Sequence, residues 1–304
     1  MAWTTDRPLS HPGARSHKEK LVACLKGNFH LTQSRRIVFV CGAALDPKRP
    51  SLRSEFLHWA ETNLGTKALF LLAESTYPAA TRGTSKFLNL TAFESTLAQL
   101  SNCVLIFPES PGAFCELGIF SEISRIREKT LIANDSSHEK DDSFLLLGPF
   151  HAINSTSKFY PTVGFDSTVG IDPTFKERIW KRIADRTRGF DEKRAPEQCH
   201  FAEMPLDSRI AIISWVLDIV ARATVGDLLD IVRGVYGSHK ADSRRLRETL
   251  RISVPLGQAI KKAPELYAAP VERAFGLVTT VDELKLKSQF RNFWMREFPI
   301  YWAY

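Results

Sequence analysis

CVLIFPESPGAFCELGIF, residues 103–120, joins a buried strand to a helix and decides the fold of the first half of the chain. Its first part, CVLIF (103–107), is continuously apolar, as is typical of a strand covered on both faces in a parallel sheet. Ser110 then suits a helix N-cap, and Pro111 suits the first helical position because no backbone N–H is needed there. The stretch therefore predicts a strand that ends at the carboxyl edge of a sheet, followed by a helix.

Apolar runs of the same kind precede and follow this stretch. They are RIVFVC (36–41), ALFLL (68–72), TLIA (130–133) and, as a fifth strand, FLLLGPF (144–150). Between them, SLRSEFLHWAETNL (51–64), with Ser51 as its N-cap, and LTAFESTLAQL (90–100) show apolar residues at helical spacing. This alternation predicts an α/β fold with a doubly wound parallel sheet of the Rossmann or flavodoxin type. Ligands of such sheets bind outside the carboxyl ends of the strands, where the strand order reverses.

Length and composition limit the class of protein. The chain has 304 residues, 44% of them hydrophobic, which is typical of about two domains. It shows neither a long apolar span nor a secretory signal, so we expect a cytoplasmic protein that does not enter a membrane. Five cysteines without CxxC spacing favour reduced thiols, and no metal site is expected. We predict a basic N-terminal extension (1–34), an α/β domain (35–172) and a helical, basic C-terminal domain (173–304).

Positive charge is concentrated at both ends of the chain. Residues 1–50 carry nine Lys/Arg against three Asp/Glu, residues 51–175 carry nine against fourteen, and residues 176–304 carry 23 against 17. Such a distribution indicates a small-molecule site in the middle and an anionic macromolecule bound by the flanks. Solvated helix faces are the alternative explanation of the same counts.

Three short helical patterns, the third of them basic, follow one another in the C-terminal domain. They are SRIAIISWVLDIVARA (208–223), VGDLLDIVRGVYG (225–237) and HKADSRRLRETLR (239–251). Their order is compatible with a helix-turn-helix or winged-helix domain that contacts nucleic acid, whereas a packing or oligomerisation unit is the more common role of small helical C-terminal domains. The candidate for the hairpin of a winged helix is LYAAPVERAFGLVTT (266–280).

Glu116 is a carboxylate placed among apolar residues of the predicted helix. The residues expected to face the sheet are Phe114, Leu117, Phe120, Ile123 and Ile126. Glu116 lies on a different side, one turn after Gly112 and Ala113, whose small side chains leave room for a ligand. The nearby helix N-terminus favours negative charge, so we expect an ionised Glu116 at neutral pH. Such a group suits attack at an anomeric carbon or stabilisation of an oxocarbenium-like transition state; a solvated surface glutamate is the alternative.

The stretch FPESPGAFCELGIFS (107–121) resembles the strand–turn–helix of retron-associated effectors, whose N-terminal domain is similar to nucleoside deoxyribosyltransferases. The resemblance extends to FVCG (39–42), to an arginine like Arg53 and to a glutamate like Glu94, and covers about residues 36–150. Where related effectors often have a second glycine after FVCG, this chain has Ala43, which restricts close approach of a phosphate to the backbone.

The resemblance implies roles for particular residues. Glu116 would be the nucleophile or the oxocarbenium stabiliser, and Glu94 would bind ribose hydroxyls or orient Glu116. The other substrate-binding residues implied are Gly42 and Arg53 toward a phosphate, and Ser110, Pro111 and Gly112 around the ribose. A strand-end turn at Gly42 and surface helix positions for Arg53 and Glu94 are the ordinary alternatives.

The implied function is that of an antiphage defence effector, a retron toxin that hydrolyses the N-glycosidic bond of NAD or a related nucleotide. Its implied partners are a reverse transcriptase and that enzyme's RNA–DNA product (msDNA), and a homo-oligomer or filament stays open. No resident cofactor is expected, because NAD would be the substrate. The alternatives are a salvage enzyme of the nucleoside 2-deoxyribosyltransferase type and a DNA-binding regulator that senses a nucleotide.

Overall fold

The apolar runs of the first half of the chain form a parallel sheet in the computed structural model. The structure describes residues 7–27, 29–81, 89–136, 143–166, 174–187, 195, 198–269, 272–280 and 282–299. The chain divides into two units, one of Arg35–Phe190 and one of Met1–Ser34 together with Asp191–Tyr304.

The helices and strands are numbered in chain order over these described residues. The helices are α1 (Pro12–Lys26), α2 (Leu52–Leu64), α3 (Ala73–Thr81), α4 (Leu90–Leu100), α5 (Pro111–Glu122), α6 (Ser124–Arg127), α7 (His151–Thr156), α8 (Phe175–Arg186), α9 (Leu206–Val220), α10 (Val225–Tyr236), α11 (Asp242–Ser253) and α12 (Glu283–Glu297). The strands are β1 (Phe29–Gln33), β2 (Arg36–Cys41), β3 (Ala68–Leu71), β4 (Cys103–Ile106), β5 (Thr130–Asp135), β6 (Val163–Phe165), β7 (Arg222–Thr224), β8 (Ile260–Ala263), β9 (Leu266–Ala268) and β10 (Phe275–Thr279). None of these helices is both long and apolar enough to cross a membrane.

The sheet of the Arg35–Phe190 unit has the order β3-β2-β4-β5-β6, and all neighbouring strands are parallel. The predicted α/β class is confirmed, and so are the strands predicted at 36–41, 68–72, 103–107 and 130–133. The chain winds outward in both directions from β2 and β4, so the strand order reverses between them. The carboxyl ends of these two strands therefore mark the expected ligand crevice.

The prediction of a fifth strand at FLLLGPF (144–150) is wrong. Residues Leu146–Phe150 form a π-helical turn that leads into α7, and the fifth strand is β6. Phe144 is 86% exposed and Leu147 is 68% exposed, so the run is covered on one side only. A short apolar run does not by itself distinguish a strand from a helical turn, and here the turn includes Pro149, which cannot donate to a strand ladder.

One side of this sheet is covered by α2 and α8. Their buried residues are Phe56, Ala60 and Leu64 of α2 and Phe175, Ile179 and Ile183 of α8, which pack with Val38, Val40, Leu105, Phe107, Leu131 and Ala133 of the strand region. The predicted N-cap of α2 is confirmed, because the Ser51 side chain accepts from the backbone N–H of Ser54. In α4, Phe93 and Leu97 are buried as the helical spacing predicts, whereas Leu90 is exposed.

The second unit contains a winged helix. Its elements follow in the order α9, β7, α10, α11, β8 and β9, and its three strands form an antiparallel sheet of order β7-β9-β8. The predicted hairpin within 266–280 is wrong: the wing is β8 and β9, whereas β10 pairs antiparallel with β1. The unit also contains residues 7–27 and 29–34 of the predicted N-terminal extension, whereas α8 belongs to the α/β unit, so the predicted boundary at 172/173 lies within that unit.

Candidate active site

The candidate site lies at the carboxyl ends of β2 and β4. Strand β2 ends at Cys41 and is followed by Gly42, while β4 leads through Phe107 to Glu109 and Ser110. Helix α5 begins directly after Ser110 and carries Glu116 in its second turn. The prediction of a helix start in the Ser-Pro-Gly segment is confirmed.

Ser110 ties the start of α5 to the end of β2. Its hydroxyl accepts the backbone N–H of Ala113 at 3.2 Å and donates to the carbonyl of Gly42 at 3.3 Å. Pro111 is the first residue of α5, and both it and Gly112 are exposed. These contacts fix the helix N-terminus beside β2 by N-capping, which satisfies one of the otherwise unpaired N–H groups.

The apolar face of α5 differs in part from the predicted one. Leu117 and Phe120 are fully buried, as expected, but Phe114 is 42% exposed and does not face the sheet. The helix ends at Glu122, so Ile126 is buried from the separate short helix α6. Few side chains of α5 therefore reach the core, and Glu116 precedes one of them, Leu117, in the sequence.

Glu116 is half-buried, and burial is the main reason that its pKa is raised to about 7. The negative charge of Glu94 raises the pKa further, while a hydrogen bond with the Cys41 thiol and the positive charge of Arg53 lower it. Glu116 is therefore only partly ionised at neutral pH, in contrast to the ionised group expected from the sequence. The stabilising effect of the helix N-terminus is outweighed by loss of water and by neighbouring carboxylates.

Three carboxylates from three helices interact at this site: Glu74 of α3, Glu94 of α4 and Glu116 of α5. We call them the carboxylate cluster. Burial and, second, the charge of Glu74 raise the pKa of Glu94, and Glu74 also contributes to the raised pKa of Glu116. Like charges held close together disfavour simultaneous ionisation of the three carboxylates.

Arg53 is the positive charge beside this cluster, and it is committed to protein partners. Its Nη2 donates to Glu74 Oε1 at 2.6 Å, its Nη1 donates to the carbonyl of Ala43 at 2.9 Å, and its side chain is 5% exposed. Its Nε is buried and has no hydrogen-bond partner among the described residues. In this conformation the guanidinium holds Glu74 in place, rather than lying open to a phosphate.

Gly42 makes the position of Arg53 sterically allowed. A Cβ atom at residue 42 would lie 2.7 Å from Cδ and 2.8 Å from Cβ of Arg53, and 3.0 Å from Oε1 of Glu109. All three distances are too short for ordinary van der Waals contact. Glycine is thus required by the packing of Arg53, a reason that differs from the phosphate contact implied by the resemblance.

Glu109 organises the site and was missed by the sequence analysis. Its Oε1 accepts the backbone N–H groups of Ala43 at 3.2 Å and Arg53 at 3.1 Å, and its Oε2 accepts that of Leu52 at 2.8 Å. It therefore caps the N-terminus of α2 from a distant part of the sequence. The sequence offered one signal for this role. Glu109 follows the end of β4, and the helix after the neighbouring strand β2 begins at the N-cap Ser51.

Gly112 provides a direct test of whether the space before Glu116 binds the substrate. Helical side chains lean toward the N-terminus, so Glu116 extends toward Gly112, and a Cβ atom there would meet only Ser110 Oγ, at 3.9 Å. We expect Gly112→Leu to lower kcat/KM at least about tenfold by filling this space, without loss of thermal stability, because leucine favours a helix over glycine. Steady-state kinetics and thermal unfolding measure the two effects.

Gly118→Leu is the matched control for this substitution. Gly118 lies in the same helix, has no atom within 4 Å of a built Cβ, and is two residues from Glu116, which places it on the opposite side. Equal kinetic effects of the two substitutions would contradict a substrate position above Gly112.

Comparison with known proteins assigns the chain to a family. Residues 49–261 match the model of the STM3845 retron effector protein family. Because this match covers more than half of the chain, the chain belongs to the retron effector family. The matched range begins before α2 and ends within β8, so it includes Glu74, Glu94 and Glu116 together with most of the winged helix.

Two Escherichia coli proteins are similar to the chain. The "Retron Ec73 putative ribosyltransferase/DNA-binding protein" is 23% identical over 276 residues, which cover 87% of this chain and 86% of the relative. The "Retron Ec86 putative ribosyltransferase/DNA-binding protein" is 38% identical over 61 residues, 20% of each chain.

Proposed function

We propose that the chain cleaves the N-glycosidic bond of NAD or a related nucleotide at the carboxylate cluster. The observation that carries this proposal is the position of Glu116 at the switch point of the sheet, half-buried, with its charge opposed by Glu94 and Glu74. The names of both relatives include ribosyltransferase, which supports chemistry at a ribosyl carbon.

Positive charge that develops on the ribose explains why the cluster would accelerate this reaction. As the bond from C1′ to the nicotinamide nitrogen breaks, its electron pair stays with the nicotinamide, which leaves neutral, and the ribosyl group becomes cationic. In the free enzyme, burial and neighbouring negative charge destabilise the ionised carboxylate of Glu116. The ribosyl cation stabilises this carboxylate as the bond breaks. The interaction is therefore stronger in the transition state than in the free enzyme.

The roles of the surrounding residues follow from their contacts. Glu116 stabilises the ribosyl cation or bonds to C1′, and Glu94 accepts ribose hydroxyls or orients Glu116. Arg53 fixes Glu74 and lowers the pKa of Glu116, which keeps part of Glu116 ionised near neutral pH. The N-terminus of α5, with Ser110, Pro111 and Gly112, lies beside the cluster and favours a hydroxyl or anionic group of the substrate.

Water completes the reaction in the hydrolytic form: its oxygen bonds to the cationic C1′ or, where Glu116 has bonded to C1′, displaces the Glu116 carboxylate, and its proton is released to solvent. In a transferase, a second nucleophile would take the place of water and accept the ribosyl group. The relatives' names, which include ribosyltransferase, agree with such an acceptor. NAD is the proposed substrate, and no resident cofactor takes part. Nicotinamide leaves without protonation, so the leaving group needs no general acid.

The biological role that we propose is a toxin of antiphage defence, controlled by a reverse transcriptase and its msDNA. The winged helix and the DNA-binding part of the relatives' names support a contact with the nucleic acid of such a complex. Electrostatic binding to its phosphates would weaken as salt rises.

NAD incubation tests the proposal directly. We expect the wild-type chain to release nicotinamide from NAD, alone or in the presence of a retron reverse transcriptase and its msDNA, with ADP-ribose as the second product by chromatography. Exchange of bases on deoxynucleosides without nicotinamide release in any mixture would contradict the proposed substrate and favour the salvage enzyme. Neither reaction, together with unchanged nucleotide affinity in Glu116→Gln, would favour the nucleotide-sensing regulator.

A further inference from the structure

Helix α11 occupies the place of the recognition helix in the winged helix and carries four arginines. Arg244, Arg247 and Arg251 recur at spacings of three and four, so they share one side of the helix, and Arg245 is next to it. The side chains of Arg244 and Arg247 are 80% and 52% exposed. This basic side is the part of a winged helix that suits a phosphate backbone.

Two glutamates pair with three of these four arginines within the unit itself. Glu248, on α11, binds Arg244 Nε at 2.9 Å and Arg245 Nη1 at 2.8 Å. Glu265, in the turn between β8 and β9, binds Arg247 Nη1 at 2.8 Å. The Glu265–Arg247 contact joins the wing to the recognition helix, and we call it the wing ion pair.

Other groups on the wing show that Glu265 is the exception on a basic surface. Lys261 and Lys262 of β8 are exposed, and Lys261 is paired in register with Tyr267 of β9, so these two side chains lie on one face of the hairpin. The charges of Arg247, Arg251 and Glu265 all act on the Tyr267 hydroxyl, which places the four groups together. The Glu265 carboxylate thus lies between the wing and the basic side of α11.

We propose that the wing ion pair limits nucleic-acid binding, because the Glu265 carboxylate competes with a phosphate for the Arg247 guanidinium. This inference rests on the nucleic-acid contact in the proposed function and assigns a regulatory residue within it. Binding through Arg247 leaves Glu265 without its partner and close to the phosphates, so Glu265 opposes binding twice. Nucleic acid with a high density of phosphates is favoured over weakly charged ligands, which cannot compete with a preformed contact.

A DNA-binding titration tests the effect of Glu265. We expect Glu265→Gln to bind a fluorescein-labelled mixed-sequence DNA duplex about two- to fivefold more tightly than the wild-type chain in fluorescence anisotropy. The plot of log K against log salt should also become steeper, by up to about 0.9, because in the wild-type chain Glu265 keeps Arg247 from the phosphate in part of the complexes. Glu19→Gln is the control of equal charge change, because Glu19 forms an exposed ion pair with Arg15 on α1.

A double-substitution cycle separates the wing ion pair from a general charge effect. Arg247→Ala should weaken binding more in the Glu265→Gln background than in the wild-type background, because in the latter Glu265 already occupies Arg247. Equal affinities and salt slopes of the wild-type chain, Glu265→Gln and Glu19→Gln would overturn the inference and leave the nucleic-acid contact intact. Absence of DNA binding by every variant would overturn both.

Discussion

Glu116→Gln should lower the rate of nicotinamide release at least about 1,000-fold at pH 8. Glutamine preserves the size of the side chain and can still accept the hydrogen bond of the Cys41 thiol, but it cannot carry the charge that opposes the ribosyl cation. It also cannot form an ester with C1′. Quenched-flow or steady-state measurement of nicotinamide gives the ratio of the two rates.

The same residue should set the pH dependence of the wild-type rate. With a pKa of about 7 in the free enzyme, Glu116 is largely protonated below that pH, so kcat/KM should fall about tenfold per unit as the solution is acidified from 7. Glu94→Gln removes the neighbouring negative charge and should move this decline to lower pH. A profile that is flat between pH 5 and pH 8 would contradict the role of an ionised Glu116.

The stability of the wild-type chain, measured by thermal or urea unfolding, should change with pH in the direction opposite to kcat/KM: it should fall as pH rises. Folding raises the pKa of Glu116 from 4.5 to about 7, so the folded state binds the proton more tightly and the wild-type chain loses stability as pH rises through this interval. By linkage the loss reaches up to about 3 kcal/mol above pH 7. Glu116→Gln avoids it, so this variant should be more stable than wild type at pH 8 and equal to it near pH 4.

Glu122→Gln is the matched control, because Glu122 is exposed at the end of the same helix. It should leave the rate and the stability unchanged at both pH values. A stable but active Glu116→Gln would contradict the catalytic role, whereas an inactive variant that is also destabilised at pH 8 would contradict the electrostatic explanation.

Local patterns made the α/β sheet and the helix caps predictable. Apolar runs mark strands β2, β3, β4 and β5, as is typical of strands in a covered parallel sheet, and the N-caps of α2 and α5 follow from the hydrogen-bonding capacity of serine. The wing was missed because β8, with the sequence IKKA, is exposed along most of its length and has no apolar pattern. Its pairing depends on the tertiary structure of α9 to α11.

The candidate site was only partly predictable for the same reason. Glu116 could be selected from its spacing, and Glu94 only through the family resemblance, but their mutual repulsion depends on how α4 and α5 converge. The helix N-terminus alone suggested an ionised Glu116, because burial cannot be read from a local pattern. Arg53 was expected at a phosphate, whereas its guanidinium contacts Ala43 and Glu74. Glu74 is 21 residues away in the sequence, and no local signal indicates this ion pair.

Glu109→Ala should have the largest structural effect of any single substitution at the site. It removes the acceptor for three backbone N–H groups, those of Ala43, Leu52 and Arg53, so the free energy of unfolding of the α/β unit should fall by about 2–4 kcal/mol. Hydrogen exchange of the peptide 42–54 should accelerate, because the loop after β2 and the first turn of α2 lose their capping carboxylate.

Glu109→Ala should also lower the catalytic rate. Glu109 binds the backbone N–H of Arg53, and the Arg53 side chain in turn binds Glu74 of the carboxylate cluster. Without it, Arg53 loses the bond that orients its backbone, and Glu74 loses a rigid partner. Glu55→Ala is the control: Glu55 lies in the first turn of the same helix and forms an ion pair with Lys176 at 3.3 Å, which at this exposure is worth below about 1 kcal/mol. Equal hydrogen-exchange rates in Glu109→Ala and Glu55→Ala would show that the loop is held by other contacts. We expect faster hydrogen exchange in Glu109→Ala but not in Glu55→Ala, together with slower nicotinamide release in Glu109→Ala. This result would support a role of Glu109 as the capping carboxylate of the candidate site.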